Sequence, residues 1–136
     1  MNPALGTWND VFGPASPELQ ALALTTRDLI RHLHPETVEV ARPGDRAVSF
    51  GHGPAKMREA YVYLMPQRAW LNLGFYQGVR LPDPSGLLAG AGKTLRHVKL
   101  HGAADLGAAD LGSADLGPAV VALVQAAIRC PRQPPV

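Results

Sequence analysis

Between residues 15 and 34 the apolar positions fall at helical spacing, with Leu19, Leu22, Thr26, Leu29, Ile30 and Leu33 on one stripe. Ser16 is a good N-cap. Pro17 suits the first helical position, where a backbone N–H has no partner anyway, and Glu18 complements the positive end of the helix dipole. The residue before a proline avoids the helical region, so His34-Pro35 closes the helix. The period then shortens. Residues 37–40 and 47–50 predict short strands around the turn chemistry of Pro43-Gly44-Asp45, and residues 51–54, Gly-His-Gly-Pro, break the second.

The clearest element is a hairpin, residues 61–65 and 70–75, rich in aromatic and β-favouring residues around the turn Pro66-Gln67-Arg68. Alternation sorts its faces. Val62, Leu64, Leu71, Leu73 and Phe75 point to the core, while Tyr61, Tyr63, Trp70 and Asn72 point the other way and Gly74 leaves a gap among them. A long Gly- and Pro-rich connection follows over residues 77–94, in which Leu87 and Leu88 predict a short helical turn plugging the sheet edge. Residues 96–100 form the last strand, with Val98 and Leu100 inward and His97 and Lys99 outward. Residues 118–129 predict a second helix burying Val120, Val121, Val124, Ala127 and Ile128, and residues 131–136 are a proline-rich tail expected to fray. Short links between consecutive strands imply antiparallel pairing. The fold class is therefore α+β: about five short antiparallel strands, N- and C-terminal helices on one face, and the other face partly open. A single domain spans residues 1–136, with its core in 15–130.

Residues 102–117, GAADLGAADLGSADLG, repeat one five-residue unit. A pentapeptide β-helix buries its central leucines only by stacking coils, and three copies are too few to stack. A helix fares no better, since five residues turn about 500° and Leu106, Leu111 and Leu116 spiral off any one face. In a strand, odd spacing sends successive leucines to opposite sides. What remains is an extended loop of Asp-centred turns, in which Asp115 or Gly117 can cap the helix that starts at Pro118.

Composition adds limits. Of the 136 residues, 46% are hydrophobic and 18% charged, a balance that folds. No apolar run approaches the ~20 residues of a membrane helix. The first residues lack the basic segment and apolar run of a secretory signal, and Cys130 has no second cysteine to pair with, so a cytoplasmic protein is expected. Net charge is +2, but between Arg42 and Lys99 basic residues greatly outnumber Asp45, Glu59 and Asp83. That basic middle suits an anionic partner.

Candidate chemistry is sparse. Residues 86–94, GLLAGAGKT, invite a phosphate-loop reading, but the register misses by one residue and no strand directly precedes it. A simpler anion nest, glycine amides beside Lys93 and Arg96, is still compatible. His32 and His34 do not share a helix face, and both suit the C-terminal end of the dipole. His97 and His101 would lie about 13 Å apart along a strand, too far to share a metal. Cys130 has no base placed beside it, and Glu59 and Asp83 are isolated, so neither nucleophile nor acid–base pair is legible. The open sheet face is the exception. Tyr61, Tyr63, Trp70, Asn72, His97 and Lys99 would meet there, an inventory that suits a small anionic ligand, stacked nucleic-acid bases, or a second small core under the loop at 77–94.

The blocks SFGHGPAKMREAYVYLMPQ, LNLGF, LPDPSGLLAGAGK and RHVKL together resemble the YdhG-like domain family (domain of unknown function 1801) across roughly half the chain. The resemblance implies a small α+β domain without a settled activity. Its motif positions here are Asn72, Phe75, Asp83, Lys93, Arg96 and His97. One branch of the family is a frataxin-like intracellular iron chaperone, which implies iron held by carboxylates along the first helix and strand, here Glu18, Asp28, Glu36 and Glu39. The reading is a non-enzymatic binding module for a small anionic ligand, with iron binding and nucleic-acid binding as its alternatives. The site is expected between the open sheet face and residues 81–96. Lys93, Arg96 and His97 supply positive charge, Asn72 orients the ligand, and Tyr63, Trp70 and Phe75 form walls. Asp83 is expected to fix the loop by accepting backbone N–H bonds. No catalytic residue, resident cofactor or membrane partner is assigned.

Overall fold

Five strands pair in the order in which the chain makes them: β1 (Val38–Arg42), β2 (Ala47–Gly51), β3 (Ala60–Pro66), β4 (Leu71–Phe75) and β5 (Arg96–Leu100), every pair antiparallel. Four α-helices accompany them in a computed structural model that describes residues 6–102, 105 and 117–130: α1 (Trp8–Phe12), α2 (Pro17–Leu33), α3 (Lys56–Glu59) and α4 (Gly117–Arg129). Nearly all of the Ala-Asp-Leu-Gly repeat, with Leu106, Leu111, Leu116 and Asp115, lies outside the described residues, as does the tail. The α+β class and the antiparallel five-stranded sheet flanked by helices match the expectation.

Helix α2 starts as its sequence dictates. The Ser16 hydroxyl accepts the N–H of Leu19 with Pro17 at the first helical position, and the helix buries Leu19, Leu22, Ala23, Thr26 and Ile30. On α4 the buried stripe is Val120, Leu123, Val124 and Ala127. Val121 and Ile128 are only half-buried, and Leu123 takes the place expected of Val121 because it stands one turn from Val120. Helix α1 was not legible, being too short for a periodic pattern. A capping box holds it: the Thr7 hydroxyl accepts from the Asp10 N–H, and the Asp10 carboxylate accepts from the Thr7 N–H. Val11 and Phe12 join α2 and α4 on the same sheet face, against Val48, Phe50, Val62, Leu64, Leu71, Leu73, Phe75, Val98 and Leu100.

Alternation fails at one place. Phe50 pairs with Val62 but Gly51 pairs with Ala60, so Tyr61 is an extra residue in β3, a β-bulge. The bulge turns Tyr61 to the helix side, into the main core, and not to the open face as the two-residue period implies. Gly51 makes this close pairing feasible, because a Cβ there would run into the backbone of Glu59 and Ala60.

Leu87 and Leu88 do pack against the core, but not as a helical turn. The Asp83 carboxylate accepts the N–H groups of both, at 2.8 and 3.0 Å, and so holds this stretch extended. Ala89 then adds two backbone hydrogen bonds to His97 at the outer edge of β5.

Candidate functional site

The face of the sheet away from α2 and α4 carries two cross-strand rows. One is Ser49–Tyr63–Gly74–His97 and the other is Met65–Asn72–Lys99. Gly74 does not leave a gap. The Tyr63 ring lies directly over it, so that a Cβ on Gly74 would overlap the ring. Tyr63 packs against Tyr76 with ring centroids 5.1 Å apart, and with Ala47 and Ala60 they form a small second core. Burial raises the pKa of the Tyr63 hydroxyl and, more strongly, that of Tyr76. Arg42 crosses the β1–β2 part of this face, donating from Nε to the Ser49 hydroxyl at 2.9 Å and from Nη2 to the Pro54 carbonyl at 2.6 Å.

At the far end of the face is a built cluster. The Trp70 indole Nε1–H donates to Asn72 Oδ1 at 2.8 Å. An indole nitrogen can only donate, so the Asn72 oxygen is committed and its NH2 is the free end. Lys99 Nζ sits 4.8 Å from the centroid of the Trp70 ring, a cation–π contact, and the His101 ring lies 6.2 Å from that of Trp70. His97, one row away, has its pKa lowered by burial and by the neighbouring Lys99. Asn72, Trp70, Lys99 and His101 thus make a ledge that offers hydrogen-bond donors and positive charge.

Not every residue assigned from sequence meets there. Phe75 is fully buried on the opposite side of the sheet, because it alternates with Gly74; it is core and not a ligand wall. Arg96 pairs with Phe75 in the register, and its Nη1 donates to the Gly92 and Leu95 carbonyls, both at 2.6 Å, so its guanidinium braces its own loop. Lys93 is exposed on that loop and Asp83 is committed to Leu87 and Leu88. Tyr63, Trp70, Asn72 and His97 do share the open face.

A second cluster was missed altogether. His34 Nδ1 lies 2.6 Å from the Tyr61 hydroxyl, which donates to Thr37 Oγ1 at 2.7 Å, and the Thr37 hydroxyl donates to the Gly51 carbonyl at 3.4 Å. Because the tyrosine proton goes to Thr37, His34 must be the donor at Nδ1. His52 stands beside them, its ring 4.9 Å from His34 and 5.2 Å from Tyr61, and its Nε2 donates to the Ile128 carbonyl at 2.9 Å. Burial pushes the Tyr61 hydroxyl up to about 12, partly opposed by its bond to Thr37. Burial, then the charge of His52, lower the pKa of His34 against a smaller opposing pull from Glu36. No spacing motif joins His34, His52 and Tyr61. Only the bulge at Tyr61 brings them together.

The sign of the His34 shift fixes a prediction. Folded His34 releases its proton more readily than the unfolded chain, whose value is 6.5, so the unfolded state binds more protons between those values. Stability is full above pH 6.5, falls as pH drops toward the lowered folded value, and levels off beneath it. His34→Asn keeps an amide donor for Tyr61 but cannot titrate. Its thermal midpoint is expected to fall less than the parent's between pH 7 and pH 5; parallel curves would remove His34 from the account.

The carboxylates on which an iron site would draw are partly committed. Glu39 is buried and accepts from Arg27 Nε and Nη2 and from Arg31 Nη2. Among the described residues no group of three or more His, Cys, Asp or Glu side chains is placed to hold a metal ion, and no helix is long and apolar enough to cross a membrane. The fold and site define the class as an α+β domain with helices on one face of an antiparallel meander and a donor-lined ledge on the other. No protein-family model, curated protein or solved structure matches the chain.

Proposed function

We propose that this chain is a non-enzymatic binding module that takes a small anion on the Trp70–Asn72–Lys99 ledge. The observation that carries the reading is the bond from the Trp70 indole to Asn72 Oδ1. It fixes the ring, over which the Lys99 ammonium sits, and leaves the NH2 of Asn72, the cross-strand partner of Lys99, as the group offered to a ligand. Strands β3, β4 and β5 contain no carboxylate, and the Asp105 carboxylate near the ledge accepts the backbone N–H of His101 at 2.7 Å. The nucleic-acid alternative is less well supported, because Lys99 sits over the Trp70 ring on which a base would stack. A cytoplasmic location and a YdhG-like identity go with this reading.

Inorganic phosphate and acetate are suitable probes, followed through the 1H–15N resonance of the Trp70 indole. Binding is expected to weaken as salt is raised and to weaken about tenfold in Lys99→Ala, the loss of one charge-assisted hydrogen bond. Titrations that leave the indole resonance unmoved, or that are unchanged in Lys99→Ala, would defeat the reading.

A further inference from the structure

Next to the ledge runs a groove of about 300 Å3, lined by Ala47, Tyr63 and Met65 from the sheet, Tyr76 just after β4, Leu95 from the segment before β5, and Met57 from α3. Its polar liners, Asp45 and Lys56, are joined to each other by a 3.0 Å ion pair. Large apolar side chains are left exposed at only four described positions, Leu24, Met57, Val79 and Leu95, and two of these line this one groove. Methionines fill such a wall adaptably, since their side chains are unbranched and flexible. The register ties groove to ledge: Met65 pairs with Asn72, and Asn72 with Lys99, so apolar floor and donors occupy one row with neighbours about 4.8 Å apart.

We infer that the ligand is an amphiphile: a monocarboxylate whose head lies on the ledge and whose unbranched apolar chain lies in the groove. The inference rests on the anion-binding reading and adds the ligand class to it. The charge pattern selects this occupant. The donors stand at one end of the row, while the groove beside them offers apolar surface and a self-neutralised ion pair. Its size sets the length, because the groove accommodates a chain on the order of ten non-hydrogen atoms. A saturated acid of eight to ten carbons fits those dimensions.

The test uses sodium acetate, butyrate, hexanoate and octanoate, with octan-1-ol as the uncharged control, in titrations of the labelled full chain. The resonances followed are the Trp70 indole and the Leu95 amide. Affinity is expected to rise about two- to fourfold per added methylene, with octanol much weaker than octanoate. Met57→Asn and Leu95→Asn replace exposed apolar side chains with neutral polar ones, which alters the groove without adding charge beside the ledge. They are expected to weaken octanoate at least tenfold and leave acetate unchanged, whereas Lys99→Ala weakens both acids. If acetate and octanoate bind alike and both depend on Lys99, the amphiphile inference is overturned and the anion reading stands. If octanol matches octanoate and Lys99→Ala changes nothing, the anion reading falls and the inference with it. If no probe moves either resonance, both are wrong.

Discussion

Gly74→Val is expected to cost about 2–4 kcal/mol of stability, the range of a severe packing error in a core. The Tyr63 ring occupies the space that the new side chain needs, in direct cross-strand register. Tyr63 cannot move aside freely, because it packs on Tyr76 and is itself buried. An aromatic ring laid over a glycine on the neighbouring strand covers backbone that would otherwise be wet, so the pair is a single packing unit. The cost should therefore be coupled. In a Tyr63→Ala background the same substitution should cost at least ~1 kcal/mol less, measured by urea denaturation in a double-mutant cycle. Additive losses would show that the ring is not the obstacle.

Arg27→Ala should cost about 3 kcal/mol, and Arg31→Ala less than about 1 kcal/mol. Both arginines meet the same carboxylate, yet they are not equivalent. Glu39 is 5% exposed, Arg27 22% and Arg31 47%. Arg27 makes two parallel bonds to Glu39, at 2.7 and 2.9 Å, and its guanidinium also lies 4.7 Å from the centroid of the Trp8 ring. Removing it leaves the buried Glu39 carboxylate with the single bond from the more exposed Arg31 and uncovers α1; removing Arg31 loses one bond at the protein's edge. Denaturation of the two variants side by side decides the matter, and equal small losses would mean that Glu39 reaches water without Arg27.

The features legible in the sequence were those that a local rule controls. Ser16-Pro17 and the 3.6-residue stripe announce α2, and alternation places Leu71, Leu73 and Phe75 in the core and Asn72 opposite them. That same alternation already pointed Phe75 to the core, at odds with the wall that the family resemblance made of it. Tyr61 was misplaced because a bulge adds one residue without leaving a local signal, and the His34–Tyr61–His52 cluster vanished with it. Arg96 looked available because charge is visible in a sequence and the loop carbonyls that consume it are not. The donation from Trp70 to Asn72 links residues two apart on one strand face, yet which polar atom it would commit is settled only by side-chain geometry.

The strand order, identical to the chain order, has a consequence for how the protein is made. Each strand finds its partner in the segment just synthesised, so β1 to β4 can zip together through short loops at little entropic cost. The slow closures are those that span distance: β5 across the segment that follows Phe75, and α4 after it. Until α4 arrives, the apolar side of the meander that Val120, Leu123 and Val124 cover lacks that lid. During translation the nascent chain therefore carries a half-roofed sheet, and this is the interval in which it is most open to aggregation or to capture by a chaperone.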